Sequence, residues 1–242
     1  LLRESVRQRL IADVPVGVFL SGGLDSSIIA AIANEYSPNI TAYTIQAHSS
    51  YDESAFAQRV ADHCGLTHVV SRLTDNDILC AVRTIGEHLD EPLADYSLVP
   101  TYLLCKLARK NETVALGGDG ADELFAGYGT FKAAYAAPVM ARIPPLMGRW
   151  FRGALRQFPK LESYMNASFI ARQISTGFGY GMESQSLLWL APFTDDEKTR
   201  LCSTDFWVST KKRRLLREIN NILSTQPDEM SGMERVMDLY LR

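Results

Sequence analysis

Two short segments of the chain combine glycine, hydroxyl and acidic residues in a pattern that suits binding of a phosphate and a cation. Residues 21–27 read Ser-Gly-Gly-Leu-Asp-Ser-Ser and directly follow the apolar run 16–20. Residues 117–123 read Gly-Gly-Asp-Gly-Ala-Asp-Glu and follow the apolar run 113–116. Glycine lets a ligand approach the backbone closely, and carboxylate oxygens are ligands of Mg²⁺. The two segments therefore predict a nucleotide site.

The first segment is predicted to join a strand to a helix. The run 16–20 carries no charge, as is typical of a strand buried in a parallel sheet. Unpaired N–H groups and the helix dipole favour an anion at the start of the following helix. Because Asp25 alone would repel a phosphate there, it predicts a divalent cation between the two. The segment lacks the Gly-Lys-Ser/Thr of a Walker loop, and a plain turn with Asp25 as helix cap is the alternative.

Strands and helices alternate around these two segments. The predicted strands are 16–20, 40–46, 67–72 and 113–117, and the predicted helices are 2–12, 25–35, 53–64, 74–88 and 97–110, followed by helices to the end of the chain. This alternation favours an α/β fold with a mainly parallel sheet.

The first segment resembles the pyrophosphate loop of N-type ATP pyrophosphatases. Together, the two segments resemble the synthetase domain of class B asparagine synthases and related amidotransferases, over about the first 130 residues. This resemblance implies a HUP-like, Rossmann-like α/β fold with strand order 3-2-1-4-5. The first and fourth strands would then be neighbours where the winding reverses, which is where such sheets bind ligands. Asp25 and Asp122 would face each other across the nucleotide.

The resemblance also implies a domain organisation. It places an ATP pyrophosphatase core at residues 1–130 and a mostly helical extension at 131–242, which we expect to be truncated at its C-terminus. The glutamine-hydrolysing domain that precedes such a synthetase domain is not expected in this chain. We interpret the sequence as a fragment with most of an ATP site.

The resemblance assigns roles to individual residues. Asp119 and Glu123 are the predicted catalytic residues, and Asp119 is shorter than the Glu usual at its place in the family. Asp25 and Asp122 are the predicted Mg²⁺ ligands. The residues expected to hold ATP lie in the loop, at two strand ends and in the second segment: Phe19, Ser21, Gly22, Gly23, Asp25, Ser26, Ser27, Ile45, Gly117 and Gly118.

The reaction implied by the family is an ATP-dependent amidation. A carboxylate, aspartate in the parent reaction, attacks the α-phosphorus to give an acyl-adenylate and pyrophosphate. Ammonia derived from glutamine then displaces AMP, and Mg²⁺ neutralises charge on the leaving group. Two alternatives stay open: a related amidotransferase or cyclising ligase acting on another carboxylate, and a nucleotide-binding module that does not catalyse.

The composition of the chain limits which binding partners and which cellular compartment we predict. The 242 residues carry a net charge of −3, so a global basic field that would attract nucleic acid is absent. The four cysteines are scattered without a Cys-x-x-Cys pair, as expected of reduced thiols in the cytoplasm. Neither a signal peptide nor an apolar run long enough to cross a bilayer is expected in this chain. A cytoplasmic enzyme is predicted, and a homodimer stays open.

A basic, acid-free stretch lies between Leu124 and Leu161. Within it, the segment 146–158 places apolar residues on one helical face and Arg149, Arg152 and Arg156 opposite. We interpret it as a helix packed on the domain with a solvated basic face, and contact with a membrane surface is the alternative.

Three smaller features are given structural interpretations. The basic run 211–214 is expected to be a solvated helix face. The acidic segment 51–54 is expected to begin a helix. The group His63, Cys64 and His68 fits no zinc spacing, so metal binding is not predicted there.

Overall fold

A computed structural model describes residues 1–46, 52–91, 93, 95, 97–155, 167–191, 193, 195–206 and 215–241. The chain divides into two compact units, Leu1–Asp119 and Gly120–Arg242. The first unit contains the sheet and the described part of the second is helical. The boundary expected at residue 130 stays a prediction.

A parallel sheet of four strands forms the centre of the first unit. The strands are β1 (Val16–Phe19), β2 (Thr41–Gln46), β3 (Thr67–Arg72) and β4 (Val114–Leu116). Among the described residues their order is β3-β2-β1-β4, and every pairing is parallel. The predicted α/β fold with a parallel sheet is confirmed. So is the adjacency of the first and fourth strands, where the winding direction reverses.

Five described helices of the first unit connect or flank these strands. They are α1 (Leu2–Arg9), α2 (Leu24–Tyr36), α3 (Ser54–Cys64), α4 (Asp75–His88) and α5 (Leu98–Ala108). Their predicted bounds are within three residues of these. Helix α1 is shorter than predicted because its last turn narrows, with Ile11 N donating to Gln8 O at 3.4 Å. Helix α4 begins with a capping box between Thr74 and Asp77.

Small residues bring α2 and α3 close to the sheet. Ala30 and Ala33 of α2 are fully buried. In α3, Ala57 is fully buried and Ala61 is 1% exposed. They pack in one core cluster with Val18 and Leu20, together with Val6, Ile32, Ile40, Ala42 and Leu66. Since close-packed cores resist displacement, this packing fixes the start of α2 relative to the end of β1.

The second unit contains nine described α-helices: α6 (Ala121–Phe125), α7 (Gly129–Ala134), α8 (Ala137–Met140), α9 (Pro145–Leu155), α10 (Ala167–Ile174), α11 (Met182–Leu190), α12 (Asp195–Leu201), α13 (Leu215–Leu223) and α14 (Gly232–Leu241). A 3₁₀ turn, Ser175–Gly177, follows α10. Buried Phe131, Trp189 and Val236 belong to its core. The predicted helical character of this part is confirmed.

Helix α9 packs through a different face from the one that the periodicity of its apolar residues predicts. Leu146, Met147 and Trp150 are 72%, 57% and 75% exposed. The packed side contains Gly148, which is buried, and Arg152, whose guanidinium donates to Ser175 O at 2.7 Å. A Cβ on Gly148 would lie only 2.5 Å from that carbonyl oxygen. The prediction that the apolar face packs on the domain is therefore wrong, because the missing side chain of Gly148 lets the helix approach through another face. Of the predicted basic face, Arg149 is exposed as predicted, whereas Arg152 is partly buried.

Some predicted features lie outside the described residues. These are Arg156 and Phe158 of the basic segment, the whole run 211–214, and Tyr51 at the start of the acidic segment. In the described part of the chain, no helix is long and apolar enough to span a bilayer. The four cysteines, all of which are described, are free thiols.

Candidate functional site

A pocket of about 410 Å³ opens in the first unit at the carboxyl ends of the strands. Its wall includes residues at or next to the ends of β1 and β2, namely Phe19, Leu20, Thr44 and Ile45. This volume is typical of small-molecule sites. Its place beside β1 and β4 is the switch point at which open α/β sheets bind ligands.

The first glycine-rich segment forms a hydroxyl-lined wall of this pocket. Ser21, Gly23, Asp25 and Ser26 line it. The Ser21 and Ser26 hydroxyl oxygens are 2.9 Å apart, and Gly23 N donates to Ser21 Oγ at 3.2 Å. Gly23 is the N-cap of α2 and contributes no side chain to cap it. The first N–H groups of α2 therefore start at the pocket wall, where the helix dipole favours an anion.

Gly22 allows the segment to turn tightly against α3. Its φ is +84°, which is the left-handed region that favours glycine. A Cβ there would lie 2.6 Å from the Phe56 carbonyl carbon and closer still to Ala57 N. The segment is therefore held against the first turn of α3.

The second glycine-rich segment packs directly on the first. A Cβ on Gly118 would lie 2.9 Å from Ser26 N and 3.1 Å from Asp25 Cβ, so only a glycine fits this approach. Gly117, Gly118 and Asp119 line the same pocket. The structure thus brings the end of β4 to the start of α2, although about ninety residues separate them.

Nine predicted site residues line the pocket: Phe19, Ser21, Gly23, Asp25, Ser26, Ile45, Gly117, Gly118 and Asp119. Gly22 and Ser27 instead line a separate groove that also includes Ile28 and Phe56. Asp122 and Glu123 lie on α6 in the second unit. The pairing of Asp25 with Asp122 stays a prediction.

The acidic residues of α6 have defined local surroundings. Glu123 Oε1 accepts a hydrogen bond of 2.6 Å from the Tyr128 hydroxyl. This bond to the carboxylate, more than burial, raises the pKa of Tyr128 to about 12. Ala126 has a φ of 56°, and the chain then turns so tightly that a Cβ on Gly127 would overlap the Asp122 carboxylate. The turn after α6 therefore confines both acidic side chains.

Several pocket residues were not predicted. They are Thr44 on β2, Asp52, Glu53 and Ser54 around the start of α3, Pro100, Thr101 and Leu104 on α5, and Leu20. Asp52 accepts from Ser54 N and Ser54 Oγ, both at 3.0 Å, and from Gln46 Nε2 at 3.2 Å. The described part of the segment 51–54 thus begins α3, as predicted, and also borders the site. No sequence signal marks Thr44, because threonine is a normal strand residue.

The sequence profile of the family described as Asparagine synthase matches residues 1–236. The chain belongs to the asparagine synthase family. The resemblance inferred from the two glycine-rich segments is therefore confirmed. Among described residues of this asparagine synthase family member, no three His, Cys, Asp or Glu side chains are grouped to hold a metal ion.

Relatives within the asparagine synthase family are much longer than this chain. Asparagine synthetase [glutamine-hydrolyzing] 1 of Bacillus subtilis (strain 168) is 36% identical over 142 residues, 58% of this chain and 22% of that protein. A putative asparagine synthetase [glutamine-hydrolyzing] of Mycobacterium tuberculosis (strain ATCC 25618 / H37Rv) is 33% identical over 198 residues, 81% of this chain and 27% of that protein. The chain spans about a quarter of the length of these relatives.

A solved structure of another synthetase is less similar in sequence. The NH3-dependent NAD synthetase from Campylobacter jejuni subsp. jejuni NCTC 11168 shares 17% identity over 95% of this chain and 96% of that chain. The TM-score is 0.39, which is too low to add to the description of this fold.

Proposed function

We propose that the chain is the synthetase part of an ATP-dependent amidoligase and binds ATP in the pocket of the first unit. The observation that carries this proposal is the contact of the two glycine-rich segments, with Gly118 packed on Ser26 N. It forms a site with hydroxyls and helix N–H groups on one wall and the carboxylate of Asp119 on another. Membership of the asparagine synthase family supports the assignment.

The pocket walls suit the two ends of ATP. Ser21, Gly23 and Ser26, at the start of the 13-residue helix α2, would hold the pyrophosphate, because helix N-termini and hydroxyls favour phosphate oxygens. Phe19 and Ile45, at the ends of adjacent strands, would contact the adenosine. Asp25 is at the pyrophosphate end, where Mg²⁺ characteristically takes one or two carboxylates with phosphate oxygens. In this proposal Asp122 is the second carboxylate.

The proposed reaction activates a carboxylate. Its oxygen attacks the α-phosphorus, the bond to the bridging oxygen of the β-phosphate breaks, and pyrophosphate leaves with an acyl-adenylate remaining. Bound Mg²⁺ would offset negative charge on the pyrophosphate. Asp119 lines the same pocket and is proposed to act near the acyl group, with Glu123 as the second catalytic residue. Ammonia then displaces AMP to form the amide.

The relatives' names support a proposal for the acceptor and for the ammonia source. Aspartate is the proposed carboxylate, since the matched proteins are named asparagine synthetases. Those relatives are also named glutamine-hydrolyzing, which supports glutamine as the ammonia source, supplied by a glutaminase domain. We further propose that the protein acts in the cytoplasm, and whether it forms a homodimer stays open.

The experiment measures pyrophosphate release from ATP by the protein with ammonia, with and without aspartate. Asp25→Asn keeps the size of the side chain and removes its charge, so Mg²⁺-dependent release is expected to fall at least about a hundredfold. Asp13→Asn is the matched control, because Asp13 is exposed and does not line the pocket. Release that depends on another carboxylate would exclude aspartate as the acceptor. ATP binding without release would support a module that does not catalyse.

A further inference from the structure

A buried hydroxyl links the sheet to the glycine-rich loop. Thr44 on β2 is 4% exposed, and its Oγ1 lies 2.5 Å from Leu20 O and 2.7 Å from His68 Nε2. Leu20 is the residue immediately before the loop, and His68 is on the neighbouring strand β3. The Thr44 side chain therefore connects β3 to Leu20, the residue that follows β1, at the pocket wall.

The protons of this bridge can be assigned by counting donors. A carbonyl oxygen only accepts, so the single hydroxyl proton of Thr44 is donated to Leu20 O. The Thr44 oxygen is then the acceptor in its second contact, and His68 Nε2 carries the proton that it receives. The hydrogen bond from His68 thus orients the Thr44 hydroxyl towards Leu20 O.

The Leu20 carbonyl is part of the peptide that enters the loop. In a trans peptide the C=O and the next N–H point in opposite directions. The Leu20 carbonyl points to Thr44, and the N–H of Ser21 points to Ser26 Oγ at 3.2 Å. Ser26 Oγ is also 2.9 Å from Ser21 Oγ. The orientation of this peptide therefore sets the hydroxyls that face the pocket.

The other ring nitrogen of His68 faces α3, where Gln58 Oε1 lies 3.0 Å from His68 Nδ1. An amide oxygen only accepts, so with the single ring proton on Nε2 this contact is not a hydrogen bond, and it becomes one only when the ring gains a second proton. His68 itself is not among the residues that line the pocket. Its influence on a bound nucleotide must pass through Thr44.

We propose that His68 is a positioning residue of the ATP site, which acts through the Thr44 hydroxyl on the Leu20–Ser21 peptide and so orients the phosphate-binding serines. This inference rests on the proposed function, since it concerns the same site. It predicts that His68 strengthens binding of the ATP phosphates and has little effect on binding of the adenosine.

The test compares the affinity of the chain for ATP and for adenosine by calorimetry in the presence of Mg²⁺. His68→Leu removes the donor, and binding of ATP is expected to weaken about tenfold with adenosine changed less than about twofold. His68→Gln restores a donor near Nε2 and is expected to bind ATP within about twofold of wild type. His88→Leu is the control, because His88 is exposed and contacts Thr84 O of its own helix.

The outcomes separate the inference from the proposed function. A wild-type chain that does not bind ATP overturns the proposed function and this inference with it. Three outcomes overturn the inference alone, provided that the wild-type chain binds ATP. They are an unchanged affinity for ATP in His68→Leu, equal losses of affinity for ATP and adenosine, and no rescue by His68→Gln. If His68→Leu does not fold, Thr44→Val and Thr44→Ser test the hydroxyl through which His68 is proposed to act, with loss expected only for the valine. Equal affinity of those two variants likewise overturns it.

Discussion

Replacing Gly118 by alanine tests whether the contact between the two glycine-rich segments shapes the site. The new Cβ would lie 2.9 Å from Ser26 N, 3.1 Å from Asp25 Cβ and 3.2 Å from the Asp25 carbonyl carbon. Two of these atoms are backbone atoms in the first turn of α2, so rotation of a side chain cannot relieve the overlap. The φ of Gly118 is not in the left-handed region, so the effect is steric.

The magnitude follows from the overlap. An ordinary carbon–nitrogen contact needs roughly half an ångström more, so the end of β4 or the start of α2 must move by about that distance. Overpacking of this kind costs about 1–3 kcal/mol in free energy of unfolding. A shift of the same size at Ser26 should weaken ATP binding at least about tenfold, because it displaces the donors that face the phosphates.

Urea denaturation and calorimetric titration with ATP measure the two effects in the same protein. Gly86→Ala is the matched control, since Gly86 lies inside α4 and a Cβ there meets no atom within 4 Å. That control should gain about 0.5–1 kcal/mol, as alanine does over glycine in a helix. If Gly118→Ala keeps both wild-type stability and wild-type affinity, the two segments are not in the described contact and the reasoning is refuted.

Two further predictions concern titration. Glu123→Gln removes the charged acceptor of the Tyr128 hydroxyl, so the pKa of Tyr128 should fall from about 12 towards its ordinary value of 10.0, as NMR of labelled tyrosine rings would show; a pKa that stays near 12 would contradict the role of Glu123. Burial lowers the pKa of His68 below 6.5, opposed in part by Asp62. The unfolded chain therefore binds more protons in the window just below that value, and wild type should lose stability relative to His68→Gln as pH falls through it. Parallel stability curves for the two proteins between about pH 7.5 and pH 5 would exclude this linkage.

The elements of the first unit were predictable because local signals mark their ends. The uncharged run before Ser21 and the glycine pair after it place β1 and α2 within two residues of their observed bounds. Gly65, with a φ of 68°, ends α3 in the left-handed conformation that glycine favours. Such signals lie within a few residues of what they determine.

The missed features depend on contacts between distant parts of the chain. Thr44 is a normal strand residue by type, and only the fold places its hydroxyl between Leu20 and His68. The packed side of α9 depends on a close approach of Gly148 to Ser175, which apolar periodicity does not encode. Leu20 and Thr44 are 24 positions apart and Gly148 and Ser175 are 27 positions apart, so a single sequence does not reveal these contacts.

The glycine contacts on both sides of the loop affect the entropy of nucleotide binding. Gly22 rests on the backbone of α3 and Gly118 rests on Ser26, so the loop has little room to take other conformations. Ordering a backbone costs about 1–2 kcal/mol per residue, and here that cost is met when the protein folds. ATP would then bind to a loop that already has its binding conformation. Its association rate would depend on diffusion and charge more than on closure of the loop.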